Sequence, residues 1–282
     1  MERRYVGLRS AIRTALANCM VRLKHKKAFE EPDYTAGIVM SISDALNSSN
    51  QRWGLEFGGC FIHQSPRVTF DTGACELGDM LVVCHNVRDD RYNAVMLQLK
   101  NPKQSIGAFR PDAVQMHLYK DWPSFEWKKQ QIHYSIEPKT MTPGALYGII
   151  KPINQFGVSM AVAAPADIIS VSGQPFEDLL YDVIDFRAGR TFVGPSVCTT
   201  DDWSRLMCDV CSWVKKTVYK RTNIYQHSQP RGYGSMLSFL ADEQNSEAIK
   251  KLALEEVDIP TDELSAESEE KGWLGVLLIE RM

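Results

Sequence analysis

Apolar residues recur every three or four positions in several segments, which is the spacing of a helix with one buried face. The segments are Leu8–Leu23, 33–49, 110–121, 176–186 and 203–220. The pattern therefore predicts helices in these segments, separated by β-rich sequence.

Short segments with strand-like patterns alternate with the predicted helices. They predict single strands at 59–63, 67–70, 144–150 and 158–164. A continuous apolar run at 273–280 is typical of a strand buried on both faces, so we expect it to fold back into the sheet. The segment 122–127 is expected to form an aromatic turn and 227–235 a flexible loop.

Two apolar segments flank a polar turn near the middle of the chain. Met80–His85 is a compact apolar run, and Tyr92–Leu99 alternates between apolar and polar positions. Together they predict an antiparallel hairpin over residues 79–100.

Length and composition are those of an ordinary globular protein. The chain has 282 residues, of which 44% are hydrophobic and 24% charged. We expect one α/β domain over residues 1–282, with a core at about 33–165, a helical addition at about 174–256 and the strand at 273–280.

Charge, hydrophobicity and cysteine content limit the partners and the cellular location that we expect. Lys and Arg total 32 against 35 Asp and Glu, so a basic nucleic-acid-binding surface must be local. Eight Lys or Arg lie in residues 1–27, as a solvated helix face or a patch that contacts phosphates. No run of about 18 apolar residues is present, so we expect no membrane partner. Seven cysteines without framework spacing favour reduced thiols and a cytoplasmic location.

The candidate chemistry lies at the open end of the predicted hairpin. Asp79 begins the first strand, and Gln98 and Lys100 end the second. Strand residues two apart share a face, so Gln98 and Lys100 project together and antiparallel pairing brings Asp79 beside them. An acid, an amide and an ammonium are therefore expected to converge.

This group suits metal-assisted hydrolysis of a phosphodiester. Asp79 and Gln98 offer the hard oxygen ligands that Mg²⁺ or Mn²⁺ prefers. Glu76 lies three residues before Asp79, and the bend that Gly78 allows can bring its carboxylate to the metal directly or through water. Lys100 can orient or deprotonate the attacking water and offset the developing charge.

At these residues the sequence resembles the PD-(D/E)xK nuclease superfamily, in its Gln-x-Lys variant. The resemblance implies a restriction-endonuclease-like αβββαβ core with a mixed central sheet, followed here by added C-terminal helices. It assigns metal binding to Asp79 and Gln98 and catalysis to Asp79, Gln98 and Lys100. The additional acid that the superfamily carries on its first helix has Asp44 and Glu56 as candidates, with Glu76 as a substitute.

The phrases ELGD, LQLK and LYKDWPSFEW resemble bacterial defence-associated nucleases. The implied function is a Mg²⁺-dependent endonuclease that acts on nucleic acid, with DNA favoured over RNA, as the effector of an anti-phage defence system. Because no specificity domain is visible, we also expect restraint by a regulatory protein partner or by homo-oligomerisation.

Residues after the hairpin are candidates for phosphate binding. Lys103, Gln104 and Arg110 precede a predicted helix, whose N-terminus carries partial positive charge. Gln115 and Tyr119 share one face of that helix, and Gln115 can face the site.

Two alternatives stay open. In the first, Asp79 caps a strand while Gln98 and Lys100 form an exposed pair on an edge strand, where Lys is common. In the second, the chain is a catalytically inactive nuclease-like module that binds nucleic acid or a protein partner.

Overall fold

The computed structural model describes residues 5–21, 29–47, 53–62, 65–102, 107–139, 144–194, 201–217 and 272–282. The helices in these residues are α1 (Leu8–Ala17), α2 (Glu31–Asn47), α3 (Ala113–Asp121), α4 (Phe176–Ile184) and α5 (Asp202–Thr217). Each overlaps one predicted helix. The first is shorter than expected, because it ends at Ala17 rather than Leu23.

The strands, in chain order, are β1 (Leu55–Ile62), β2 (Arg67–Phe70), β3 (Gly73–Glu76), β4 (Met80–Asn86), β5 (Arg91–Lys100), β6 (Ala108–Phe109), β7 (Phe125–Trp127), β8 (Ile132–Tyr134), β9 (Ala145–Asn154), β10 (Gly157–Ala163), β11 (Ile169–Ser170), β12 (Gln174–Pro175), β13 (Arg190–Phe192) and β14 (Leu274–Arg281). The expected aromatic turn at 122–127 is partly wrong, because its second half is the strand β7. The predicted loop at 227–235 and residues 218–256 of the helical addition lie outside the described residues.

A mixed sheet forms the centre of the molecule. Its order is β1-β14-β4-β5-β9-β10-β12, with β13 paired to β5. β4 and β5 form the predicted antiparallel hairpin, and β5 runs parallel to β9. β14 pairs antiparallel with β1 and parallel with β4, which confirms the expected return of 273–280 to the sheet. The fold is therefore α/β.

Both faces of this sheet are covered. One core lies between the sheet and α1, α2 and α4, and includes Leu97 and Leu99 of β5. The other lies on the opposite face with α3, α5 and a small sheet, and includes Ala94 and Met96. The small sheet has the order β3-β2-β7-β8. Alternate residues of β5 thus enter different cores.

The basic helix α1 is neutralised by the protein itself. Arg9 lies 2.6 Å from Asp178 and Arg13 lies 2.8 Å from Glu177, both acids of α4. These two arginines therefore form ion pairs with acids of the same chain. They do not form the open phosphate-binding patch that was one of the two expectations.

Two further expectations bear on the protein's class. All six cysteines in the described ranges are free. None of the helices in those ranges is both long and apolar enough to cross a membrane.

Candidate functional site

The open end of the β4–β5 hairpin brings Asp79 and Gln98 into direct contact. The Asp79 backbone N–H donates to the Leu97 carbonyl at 2.9 Å, which places Asp79 opposite the end of β5. The Gln98 Nε2 donates to Asp79 Oδ2, and the Leu99 backbone N–H donates to the same oxygen at 2.7 Å. The predicted meeting of the acid and the amide is confirmed.

Burial removes the edge-strand alternative. β5 lies inside the sheet between β4 and β9, with Asp79 fully buried and Gln98 only 5% exposed. The neighbouring Gly78 is required by crowding, since a Cβ there would lie 2.5 Å from Met96 Cγ and 2.7 Å from the Tyr119 hydroxyl. Asp79 is therefore a buried acid immediately before an interior strand.

Each of the two side chains keeps one buried oxygen that has no hydrogen-bond partner in the described ranges. These are Asp79 Oδ1 and Gln98 Oε1. Burial raises the pKa of Asp79 well above its usual range, the Lys100 ammonium opposes this shift, and the Glu76 carboxylate reinforces it. The site thus holds acceptor capacity that the described part of the chain leaves unused.

Lys100 lies at the rim of this buried group. Its side chain is 32% exposed, and its Nζ lies 3.8 Å from Oε2 of Glu31. Glu31 Oε1 also accepts the Asn101 backbone N–H at 3.1 Å, so the start of α2 is fastened to the end of β5. The ammonium therefore sits between the exposed surface and Asp79.

Glu76 is the second carboxylate that faces this group. Burial raises its pKa, while the Lys100 ammonium lowers it. Glu76 ends β3, and the chain reaches Asp79 through Leu77 and Gly78. The predicted bend thus brings this acid to the same site.

Glu31 is the acid that the sequence interpretation missed. It lies in the first turn of α2, and its charge raises the pKa of both Asp79 and Glu76. Asp44 lies thirteen residues (44 − 31) further along α2, about 20 Å away. Glu56 pairs in register with Glu280, which pairs with His85 at the far end of β4. The structure therefore places Glu31, rather than Asp44 or Glu56, beside the site.

Polar groups also line the wall formed by α3 and β9. Tyr147 is the register partner of Gln98, and its buried hydroxyl has no hydrogen-bond partner among the described residues. Gln115 is 6% exposed, and its Nε2 is likewise unpaired there. Tyr119, by contrast, donates its hydroxyl hydrogen to the Leu77 carbonyl at 2.8 Å.

The structure describes only one of the three residues predicted to bind phosphate. Lys103 and Gln104 lie outside the described residues. Arg110 is exposed just before α3. The Asp112 side chain caps that helix by accepting the Val114 and Gln115 N–H groups at 3.0 and 3.1 Å. Those two amides are therefore already bonded to an acid.

The donor set fits a hard divalent cation. Asp79, Gln98 and Glu76 offer carboxylate and amide oxygens, and the buried Asp79 and Gln98 oxygens described above lack a donor. In the described ranges, no three His, Cys, Asp or Glu side chains are grouped as a metal site.

Comparison with known proteins identifies no relative, so a functional proposal rests on the geometry of the site. The chain matches no family model, no curated protein and no solved structure.

Proposed function

We propose that the protein is a metal-dependent nuclease that hydrolyses phosphodiester bonds, with Asp79, Gln98 and Lys100 at its centre. One observation carries the proposal. Asp79 Oδ1 and Gln98 Oε1 are buried without hydrogen-bond partners among the described residues, in side chains that already contact each other. A buried polar group without a partner costs free energy, so the pair favours a ligand that accepts lone pairs.

A divalent cation is the ligand that this chemistry favours. Asp79 and Gln98 would hold it, and Glu76 would reach it directly or through water. The oxygen donors suit Mg²⁺ or Mn²⁺ rather than a softer metal. When bound, such an ion polarises the phosphate and lowers the pKa of water.

The proposed role of Lys100 follows from its position. Its ammonium is close enough to Asp79 and Glu76 to oppose the rise in the pKa of each acid. Its partly exposed side chain can still reach a substrate phosphate. We assign it the orientation of the attacking water and the stabilisation of negative charge on the phosphate in the transition state.

The order of elements supports a restriction-endonuclease-like core. When the short strands β2, β3, β6, β7 and β8 are left out, the order α2, β1, β4, β5, α3, β9 is that of an αβββαβ core, with β4 and β5 as a hairpin and β5 parallel to β9. β14 is an addition to this order, because it lies between β1 and β4 in the sheet. Glu31 on α2 is our candidate for the acid of the first helix.

An inactive nuclease-like module is the second candidate function. It is favoured by the amide at position 98, which gives the site one negative charge fewer than an acid would. The 3.8 Å contact between Lys100 and Glu31 also favours it, because the ammonium already has a carboxylate neighbour. Such a module would bind nucleic acid or a protein without cleaving it.

A cleavage assay separates the two functions. Plasmid DNA, single-stranded DNA and RNA are incubated with the protein in Mg²⁺, Mn²⁺ or EDTA. Cleavage in either metal but not in EDTA is expected for the nuclease, with loss of about 100-fold or more in Lys100→Ala and little loss of binding. Arg88→Ala, which removes an exposed cation at the other end of the hairpin, is the control.

Substitutions at Gln98 test the metal assignment directly. Gln98→Glu restores an acid and is expected to keep activity and tighten Mg²⁺ binding. Gln98→Leu removes the oxygen at similar volume and is expected to lose activity. Cleavage in EDTA, or equal activity of both variants, would contradict the assignment.

A further inference from the structure

Two basic residues continue outward from the site along the small sheet. Arg67 on β2 is the register partner of Glu76 on β3. On the other side of β2, the Lys128 backbone N–H donates to the Arg67 carbonyl at 3.3 Å. Neighbouring strands lie about 4.8 Å apart, so the row Glu76, Arg67, Lys128 extends about 10 Å across three strands.

The outer face of the small sheet carries its exposed residues in the part of the chain that the structure describes. Val68, Phe125, Trp127 and Tyr134 point to the inner face and are at most 2% exposed in the second core. Arg67 on β2 and Lys128, just beyond β7, are exposed instead.

The two cations lack acidic partners within the part of the chain that the structure describes. Neither Arg67 nor Lys128 has a carboxylate within 4 Å there, whereas Arg9 and Arg13 of α1 are each paired with an acid of α4. Residues 127–136, which include Lys128, contain no Asp or Glu. Glu126 and His133 are paired on the adjacent row of the same sheet. The charge of Arg67 and Lys128 is therefore available to an anion.

Arg67 is firmly tied to the catalytic end of the hairpin. The Leu77 backbone N–H donates to the Pro66 carbonyl at 2.7 Å, and the Ser65 hydroxyl donates to the Gly78 carbonyl at 3.0 Å. The Arg67 guanidinium is also close enough to lower the pKa of Glu76. The row thus begins at the site and leads away from it along a fixed part of the fold.

We infer that Arg67 and Lys128 form a track that binds the sugar–phosphate backbone of the nucleic acid on the Glu76 side of the site. The inference rests on the proposed nuclease function and adds the direction in which the strand leaves the cleaved bond. Two exposed cations that have no carboxylate within 4 Å among the described residues, in line with the site carboxylates, suit a polyanion that continues past the reacting phosphate. They contact the backbone rather than base edges, so the track binds without selecting sequence.

Salt dependence of DNA binding tests this track. A short fluorescein-labelled DNA duplex is titrated in EDTA, which prevents turnover, at salt concentrations from about 50 to 200 mM. Arg67→Ala and Lys128→Ala are each expected to reduce the slope of log K against log salt by about one, and the double variant by about two. Affinity at the lower salt should fall several-fold for each single variant.

Matched variants separate charge from structure. Arg88→Ala removes the same charge in the turn about 20 Å along the hairpin and is expected to keep the wild-type slope. Arg67→Lys keeps the charge and should keep the slope as well. An Arg88→Ala effect equal to that of Arg67→Ala would overturn the track, as would an unchanged slope in the double variant.

Wild-type cleavage in Mg²⁺ is measured in parallel. Cleavage by the wild type with an unchanged slope in the double variant overturns the track and leaves the nuclease function standing. A reduced slope without any wild-type cleavage supports the track and overturns the nuclease function. Absence of both binding and cleavage overturns both.

Discussion

Two of the buried acids in this protein, Glu177 and Asp79, have different surroundings. Glu177 of α4 is 6% exposed, and the Arg13 Nε donates to its Oε1 at 2.8 Å. Asp79 is fully buried, accepts hydrogen bonds only at Oδ2, and has no cation within 4 Å among the described residues.

The difference separates an acid that holds the fold together from one that is kept for a ligand. Glu177 receives its counter-charge from α1 and joins two helices. Asp79 keeps one oxygen without a hydrogen-bond partner among the described residues and a raised pKa, a cost to folding that the nearby Lys100 ammonium offsets only in part. Proteins retain such costs where function needs them.

The largest expected contrast is in activity. Asp79→Asn removes the proposed ligand charge at nearly constant shape and is expected to lower cleavage by about 100-fold or more. Glu177→Gln breaks an ion pair far from the chemistry and should leave cleavage unchanged. Initial rates with plasmid DNA in Mg²⁺ measure both, and similar losses in the two variants would abolish the distinction.

Metal binding should produce the next largest contrast. Mg²⁺ at about 100 times its Kd is expected to stabilise the wild type and Glu177→Gln by about 2.7 kcal/mol, because it binds only the folded state. Asp79→Asn should show little of this stabilisation. Thermal unfolding with and without Mg²⁺ provides the measurement, and equal stabilisation of all the proteins would place the cation elsewhere.

The pH dependence of stability sharpens the comparison in metal-free buffer. The folded pKa of Asp79 is raised, so the carboxyl keeps its proton in the folded state at pH values where the unfolded chain has lost it. The free energy of folding that this retained proton contributes is fully present below the unfolded pKa of about 3.9. It is lost as pH rises towards the raised pKa of the folded state.

The Asp79→Asn side chain does not titrate, so the variant does not lose stability in this way as pH rises. Its free energy of unfolding relative to the wild type should therefore increase from about pH 4 upward. Urea unfolding in EDTA at several pH values tests this, with Asp71→Asn in an exposed turn as the control. Parallel curves for wild type and Asp79→Asn would show that burial does not strain this acid.

The smallest contrast is in metal-free stability near neutral pH. Asp79→Asn is expected to stabilise the protein by about 0.5–2 kcal/mol, as substitutions that relieve functional strain do. Glu177→Gln should destabilise it by about 0.2–1 kcal/mol, because the Arg13 side chain is 70% exposed and solvent screens the pair. Destabilisation by both substitutions would mean that Asp79 is structural as well.

The hairpin and its acid–amide contact could be predicted because their determinants are local. The alternation of Leu97, Gln98 and Leu99 fixes which side chain leaves the aliphatic core, and the short turn fixes which residues face each other. These rules require no knowledge of the rest of the chain. The direct bond between Gln98 and Asp79 is the outcome.

Glu31 could not be found in this way. It lies 48 residues (79 − 31) before Asp79, and only the packing of α2 against the sheet brings it to Lys100. The one signal in the sequence was the run Glu30-Glu31-Pro32-Asp33, which marks a helix start and places acids there. Strands β7 and β8 were missed because each has only three residues, too few for a period to be seen.

The position of β14 has a consequence for when the site can form. The Gly275 backbone N–H donates to the carbonyl of Asp79 at 2.9 Å, and this contact joins residues 196 positions apart (275 − 79). A ribosome releases the chain from its N-terminus, so β1 and β4 are made long before the strand that lies between them. A nascent chain that still lacks β14 cannot complete the sheet around Asp79. Synthesis itself therefore delays the appearance of the site until residues 274–281 have left the ribosome.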